Sequence, residues 1–129
     1  MYSLLAWLLL MPAQVSVRVT VRNIQPGAGS IRVAFYNSDN TFLHKPADSL
    51  AAKAQQQTMT LTFKVPAGDY AIATYQDLND NGQLDAGLFR APKEPYGFGT
   101  GYRPHFSAPA FKECVMHLTG DTTVFVDLK

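Results

Sequence analysis

Residues 77–85 read Asp-Leu-Asn-Asp-Asn-Gly-Gln-Leu-Asp, and they carry the most recognisable chemistry of the chain. Calcium is a hard cation that takes about six to eight oxygen ligands. Loops bind it with side-chain oxygens at alternate positions and a glycine at the sharp turn. Asp77, Asn79 and Asn81 stand at the first, third and fifth positions of such a loop, and Gly82 stands at the sixth. The pattern therefore predicts a calcium site that begins with these residues.

The second half of the loop agrees less well with the calcium pattern. Gln83 stands where a backbone carbonyl coordinates, and Asp85 stands where coordination is direct or through water. The last position of the pattern normally carries a bidentate glutamate, but here it is Leu88. Glu94 is the nearest candidate for the missing oxygen. We expect a weak site, with a Kd on the order of 10⁻⁴ to 10⁻³ M.

Two other interpretations of these residues stay open. Asn81-Gly82 is also a favoured type I′ turn, so the loop can be a turn without an ion. Asp77, Asp85 and Glu94 could also supply the acid and base of a hydrolase, with His105 as a further group. We favour the non-catalytic interpretation and predict no catalytic residue, because the carboxylates follow the calcium pattern.

A glycine-rich aromatic stretch follows residues 77–85, which we name the acidic loop. Tyr96, Phe98 and Tyr102 alternate with glycines, and His105 comes shortly after them. Glycine lets a ligand approach the backbone closely, so these four side chains are a candidate ligand-binding platform. The alternative, which we favour, is that Tyr96 and Phe98 pack inward and close one end of the fold.

Alternating apolar and polar residues predict six strands, at 15–22, 30–37, 58–65, 69–76, 111–118 and 122–128. Turn residues at 66–68 and 119–121 predict that the strands beside each turn pair as a hairpin. Residues 41–57 fit a short helix and a polar connection equally well. Together these elements predict an all-β fold, an antiparallel β-sandwich of about seven strands. It would be immunoglobulin-like or transthyretin-like, with residues 77–110 as one long insertion.

Composition excludes several classes of protein. The chain has 129 residues, 11 of them basic and 10 acidic, so no excess of positive charge exists to neutralise phosphates. Nucleic acid is therefore not an expected partner. A single cysteine, Cys114, excludes an intrachain disulfide and a multi-cysteine zinc site.

The first 13 residues differ from the rest of the chain. Residues 4–11 form an uncharged apolar run, which is too short to span a bilayer but suits the core of a secretory signal peptide. We predict a signal peptide at residues 1–13, a single domain at 14–129 and no membrane anchor after cleavage. The alternative is that the run belongs to the folded domain as a buried strand or helix.

Several segments together resemble one bacterial family. They are G-S-I-R-V-A-F-Y-N-S at 29–38, V-P-A-G-D-Y-A-I-A at 65–73, the acidic loop, and E-P-Y-G-F-G at 94–99. The chain resembles the bacterial domain of unknown function 2141 over about residues 16–128. The resemblance implies a small exported bacterial β-sandwich protein and no established activity. Gln76 stands where members commonly have histidine.

The function most consistent with these features is an exported, non-catalytic binding or accessory module in the periplasm or outside a bacterium. Its partner would be a protein or a small-molecule ligand, recognised by the long insertion. Calcium would have a structural role at the base of that insertion. A hydrolase is one alternative. The other is a scaffold domain without an ion or ligand, which docks through an exposed edge strand.

Overall fold

A computed structural model describes residues 13–82, 94–104 and 107–129. The prediction of an all-β protein is confirmed, and these residues contain eight strands rather than about seven. The elements are β1 (Gln14–Arg22), β2 (Ser30–Tyr36), β3 (Asp48–Lys53), β4 (Met59–Pro66), β5 (Gly68–Asp77), β6 (Tyr96–Phe98), α1 (Phe111–Cys114), β7 (Val115–Leu118) and β8 (Thr122–Asp127). In the described part of the chain, no helix has the length and apolar character needed to cross a membrane.

The strands form two sheets. Sheet A has the order β4-β1-β8, and sheet B has the order β3-β2-β5-β6, with β7 also paired to β5. All of these pairs are antiparallel except β1 with β8, which is parallel. Both termini of the described domain therefore lie in sheet A, where the last strand pairs with the first.

One apolar core joins the two sheets. Phe35 of sheet B and Phe63 of sheet A meet at its centre, with ring centroids 4.3 Å apart. Burying a valine or phenylalanine side chain stabilises a fold by about 1.5–3 kcal/mol. A one-residue slip of β1 would turn four valines to solvent, so the alternation sets the register. The buried valines of β1 are Val15, Val17, Val19 and Val21.

Both predicted hairpins are wrong. β4 and β5 flank residues 66–68, yet β4 pairs with β1 in sheet A and β5 pairs with β2 in sheet B. β7 and β8 are divided between the sheets in the same way. The alternation of apolar residues is identical whether a strand pairs beside its neighbour or crosses the core to the facing sheet. At the first crossing the Tyr70 hydroxyl donates to the Pro66 carbonyl over 2.7 Å, which stabilises the corner.

Two segments differ from their predicted structure. Residues 41–57 contain strand β3, not a helix or a purely irregular connection, because residues 48–53 complete the edge of sheet B against β2. Residues 111–114 are helical instead of extended, and only 115–118 continue as a strand. Both errors arise because weak alternation carries little information about backbone pairing that tertiary contacts decide.

The turn at residues 25–29 packs against the end of β5. The fully buried Gln76 side chain accepts the Gln25 amide over 2.9 Å and donates to the carbonyls of Gln25 and Ala28 over 2.8 and 2.7 Å. Gly29, with φ +65°, lies where an added Cβ would stand 1.8 Å from the Asp77 carbonyl oxygen. The turn and the start of the acidic loop therefore hold one another in place.

Gly29→Ala should lower the free energy of unfolding by about 3 kcal/mol or more, because it adds a backbone clash to an unfavourable φ. Gly27→Ala is the matched control. Its φ is +85°, but nothing lies within 4 Å of the added Cβ, so a loss of about 1 kcal/mol is expected. Urea denaturation measures both values. Equal losses would contradict the close contact with β5.

Candidate functional site

The acidic loop begins with a buried carboxylate. Asp77 ends β5, and its side chain has no exposed surface. Its Oδ2 accepts the Arg32 Nε over 2.9 Å and the Gly82 amide over 2.7 Å, and its Oδ1 accepts the Asn81 amide over 3.2 Å. A buried carboxylate is costly unless it is paired and hydrogen-bonded, and Asp77 is both. It therefore holds the loop closed and fixes the Arg32 side chain.

The turn of the loop depends on two residues with positive φ. Asp80 has φ 54° and Gly82 has φ 79°. The Asp80 carboxylate accepts the Ser30 hydroxyl over 2.5 Å and the Lys53 ammonium over 2.7 Å. The hydrogen bond from Lys53, and then that from Ser30, lowers the pKa of Asp80. The loop is thus attached to β2 and β3 as well as to its own backbone.

Glu94 lies at the same loop, as its predicted role requires. It is only 4 % exposed, and its Oε2 accepts the Leu78 amide over 2.7 Å. Asn79 and Asn81 are exposed, and the Asn79 side chain accepts the Asn81 amide over 3.4 Å. The structure therefore brings Asp77, Asn79, Asn81 and Glu94 to one loop.

The remaining predicted site residues lie outside the described residues. They are Gln83 and Asp85 of the calcium pattern and His105 of the aromatic platform. Across residues 13–82, 94–104 and 107–129, no group of three or more His, Cys, Asp or Glu side chains is arranged to hold a metal ion. That statement concerns only His, Cys, Asp and Glu, so it does not cover the side-chain amide oxygens of Asn79 and Asn81. The calcium site stays a prediction.

The face of sheet B that points away from the core has two contrasting rows of side chains. Strand register places Ser49 opposite Ala34, and Ala34 opposite Ala73. We name these three the small-residue row. It is followed, two residues along each strand and therefore about 7 Å away, by a second row. This second row, which we name the polar row, contains Arg32, Tyr75 and Tyr96.

A second apolar cluster packs against Ala34 and Ala73 of the small-residue row, on the side away from the polar row. Its buried residues are Tyr36, Phe42, Ala71, Phe98 and Cys114. Phe42 packs edge-on against Tyr36, with centroids 5.5 Å apart, and lies 6.4 Å from Phe98. Phe98 is only 3 % exposed, as the prediction of inward packing required, but it packs on the outer face of sheet B and not in the main core. Cys114 is buried in this cluster, and its burial, followed by the charge of Glu113, raises the pKa of the thiol to about 12.

A groove of about 600 Å³ lies between the second cluster and the polar row. Its floor contains Ala34 and Ala73, whose small side chains leave the space open. Its walls include Tyr36, Leu43 and His44 on one side and the polar row on the other. Small-molecule sites are typically concave, about 300–1,000 Å³ in volume, and mainly apolar with a few polar groups. The groove has these properties.

The three described residues of the predicted aromatic platform, Tyr96, Phe98 and Tyr102, occupy different places. Tyr96 lines the groove, where the Arg103 guanidinium stacks over its ring at 4.0 Å. Phe98 lies in the second cluster, and Tyr102 packs against the edge of that cluster. Of the described three, only Tyr96 and Phe98 border the groove.

Sequence reasoning did not identify the groove. Alternation alone predicts only ordinary strand positions for Arg32, Ala34, Ala73 and Tyr75. One signal was present: on β2 and β5, the positions that alternate with the core residues carry alanine and tyrosine, where a solvated face normally carries polar side chains. That pattern indicates a second buried or ligand-binding surface.

The chain belongs to a bacterial protein family. The model of the family described as "Uncharacterized protein conserved in bacteria (DUF2141)" matches residues 19–125, which include strands β2 to β7, parts of β1 and β8, and the acidic loop. The resemblance seen in the sequence motifs is thereby confirmed. Neither the curated proteins nor the solved structures yield a match to this chain.

Arg32→Gln should lower the free energy of unfolding by about 3–5 kcal/mol, because it leaves the Asp77 carboxylate buried without a cation. The double variant Arg32→Gln/Asp77→Asn should lose clearly less than the sum of the two single variants. Chemical denaturation of the three variants measures the coupling.

Arg22→Gln provides the control, because it breaks the exposed pair of Arg22 with Asp127, whose side chains are 46 % and 47 % exposed. It should lower stability far less than Arg32→Gln does, because exposed ion pairs are screened by solvent and contribute little. Additive losses at Arg32 and Asp77 would contradict a coupled buried pair.

Proposed function

We propose that this protein is an exported, non-catalytic binding module that takes a small ligand in the groove on the outer face of sheet B. The observation that carries this proposal is the groove itself: a floor of small side chains between aromatic walls. Small side chains in an otherwise bulky sheet face leave apolar surface that a ligand can bury. The ligand site then lies on the rigid strands, with the insertion contributing Tyr96 at its rim.

We further propose that the two sheets form a β-sandwich of immunoglobulin-like or transthyretin-like type. The single core shared by both sheets supports this, as do the chain crossings between the sheets at residues 66–68 and 119–121. The parallel pairing of β1 with β8 distinguishes this arrangement from a purely antiparallel sandwich.

Export to the periplasm or the medium rests on the apolar run at residues 4–11. Residues 1–12 lie outside the described residues, so the signal peptide stays a proposal. The position of β1 supports it, because the strand begins at Gln14 and pairs from that residue onward with β4. Cleavage after Ala13 would leave all of these pairs in place.

The geometry around Asp77 supports a non-catalytic role over the hydrolase alternative. A catalytic carboxylate must reach its substrate or a water molecule. Asp77 has no exposed surface and its oxygens accept backbone amides and Arg32, while Glu94 is 4 % exposed and accepts the Leu78 amide. Both carboxylates therefore stabilise the loop.

Calcium binding at the acidic loop is a second part of the proposal. Asp77, Asn79 and Asn81 supply oxygens at alternate positions, and Gly82 has the positive φ that the sharp turn needs. Arg32 already donates to Asp77, so an ion would share this carboxylate with the guanidinium. That competition agrees with a weak, extracellular type of site.

Calcium at about 10⁻² M should raise the melting temperature by a few degrees, since a Kd of about 10⁻³ M corresponds to about 1.4 kcal/mol of stabilisation. Asn79→Ala should abolish this shift while it leaves the pair of Asp77 with Arg32 intact. Asn40→Ala, at an exposed turn elsewhere, should retain it. An unchanged melting temperature of the wild type would contradict the calcium site.

The groove is tested by a fragment screen with NMR detection on the ¹⁵N-labelled protein. Bound fragments should shift the amide signals of Ala34 and Ala73. Ala73→Leu should lower the affinity for these fragments about tenfold or more, because the added side chain fills the floor of the groove. Thr62→Leu adds the same side chain to the exposed outer face of sheet A and should change nothing.

Fragments that bind equally well to the wild type and to Ala73→Leu would contradict the proposed function. Ala34→Leu provides a second blocked groove from the neighbouring strand, in case Ala73→Leu disturbs the fold. The spectrum of each variant without ligand reports whether the fold is retained.

A further inference from the structure

The polarity of the groove changes along the strands. At one end, the second apolar cluster and the small-residue row offer carbon surface. About 7 Å further along, the polar row offers a guanidinium and two phenol groups. A ligand that lies along the strands therefore meets an apolar environment at one end and hydrogen-bond donors at the other.

Arg32 is the charged group that such a ligand would meet. Its Nε donates to the buried Asp77, and its side chain is 36 % exposed at the groove. In the described residues, no hydrogen bond engages its terminal Nη atoms. A guanidinium held by one carboxylate still has donors that fit a second carboxylate in a planar arrangement.

The acidic groups near Arg32 are buried or paired with a cation. Asp77 has no exposed surface and Glu94 only 4 %, so a ligand in the groove contacts the guanidinium and not these carboxylates. Asp80 pairs with Lys53. Burial, and then the charge of Asp77, raises the pKa of Tyr75 to about 12, so this phenol stays protonated and able to donate near neutral pH.

We propose that the groove binds a small carboxylate with a narrow apolar body. The body lies over Ala34 and Ala73, and the carboxylate accepts hydrogen bonds from Arg32. Asp77 acts as a positioning residue, because it holds the guanidinium at the end of the groove. This inference rests on the proposed function and adds the chemical class of its ligand.

Three unbranched eight-carbon probes with different head groups test the class: octanoate, octan-1-ol and octylammonium. Each is titrated against the ¹⁵N-labelled protein at neutral pH. Octanoate should bind about tenfold more tightly than octan-1-ol, the value expected for a charge-assisted hydrogen bond, and octylammonium should bind most weakly. Ala73→Leu should lower the affinity for all three probes.

The outcomes separate the two proposals. If octan-1-ol or octylammonium binds as tightly as octanoate and Ala73→Leu still blocks binding, the ligand class is wrong and the groove remains a binding site. If none of the three shifts the signals of Ala34 and Ala73, both this inference and the proposed apolar site are overturned.

The double variant Arg32→Gln/Asp77→Asn tests the assigned residue without leaving a buried charge. It should lower the affinity for octanoate to that for octan-1-ol and leave octan-1-ol unchanged. Arg18→Gln is the matched control, because it removes an exposed guanidinium on the opposite sheet, and it should retain the preference. A preference that survives in the double variant would overturn the role of Arg32.

Discussion

The architecture around both candidate sites depends on the buried pair of Asp77 with Arg32. Asp77 joins three parts of the molecule: strand β5, the acidic loop through the amides of Asn81 and Gly82, and strand β2 through the Arg32 Nε. A carboxylate without exposed surface is tolerated only when such partners replace its water. The turn at 25–29 packs on the same strand end, so the start of the loop is held from two sides.

The outer face of sheet B differs from the solvated face of an ordinary antiparallel sheet. Antiparallel sheets commonly leave one face to solvent, and polar side chains then alternate with the core residues. Sheet A follows this rule with residues such as Thr20, Thr60 and Lys64. Sheet B does not, because alanines and tyrosines occupy much of its outer face and the second cluster packs against part of it. Among the described residues, the groove lies on this face beside the second cluster, and its polar end begins where Asp77 pairs with Arg32.

Sequence patterns predicted the all-β class, most strand positions and the meeting of Asp77 with Glu94 at one loop. Alternation reports which side of a strand is buried, so β1 and β4 were predictable from their valines, Leu61 and Phe63. It does not report the neighbouring strand, and both hairpins were therefore wrong. Arg32 was not predictable as a site residue, because its contact with Asp77 joins positions 45 residues apart through strand register.

The two proposed ligands act on the same guanidinium. Calcium at the acidic loop would be coordinated by Asp77 and would weaken the ion pair of Asp77 with Arg32. The guanidinium would then be less fixed in position but would attract an anion more strongly. A carboxylate in the groove would engage Arg32 and so change the charge available at Asp77. Because coupling between two binding sites is reciprocal, each ligand must change the affinity for the other by the same factor. Arg32 is the physical element through which that coupling would pass.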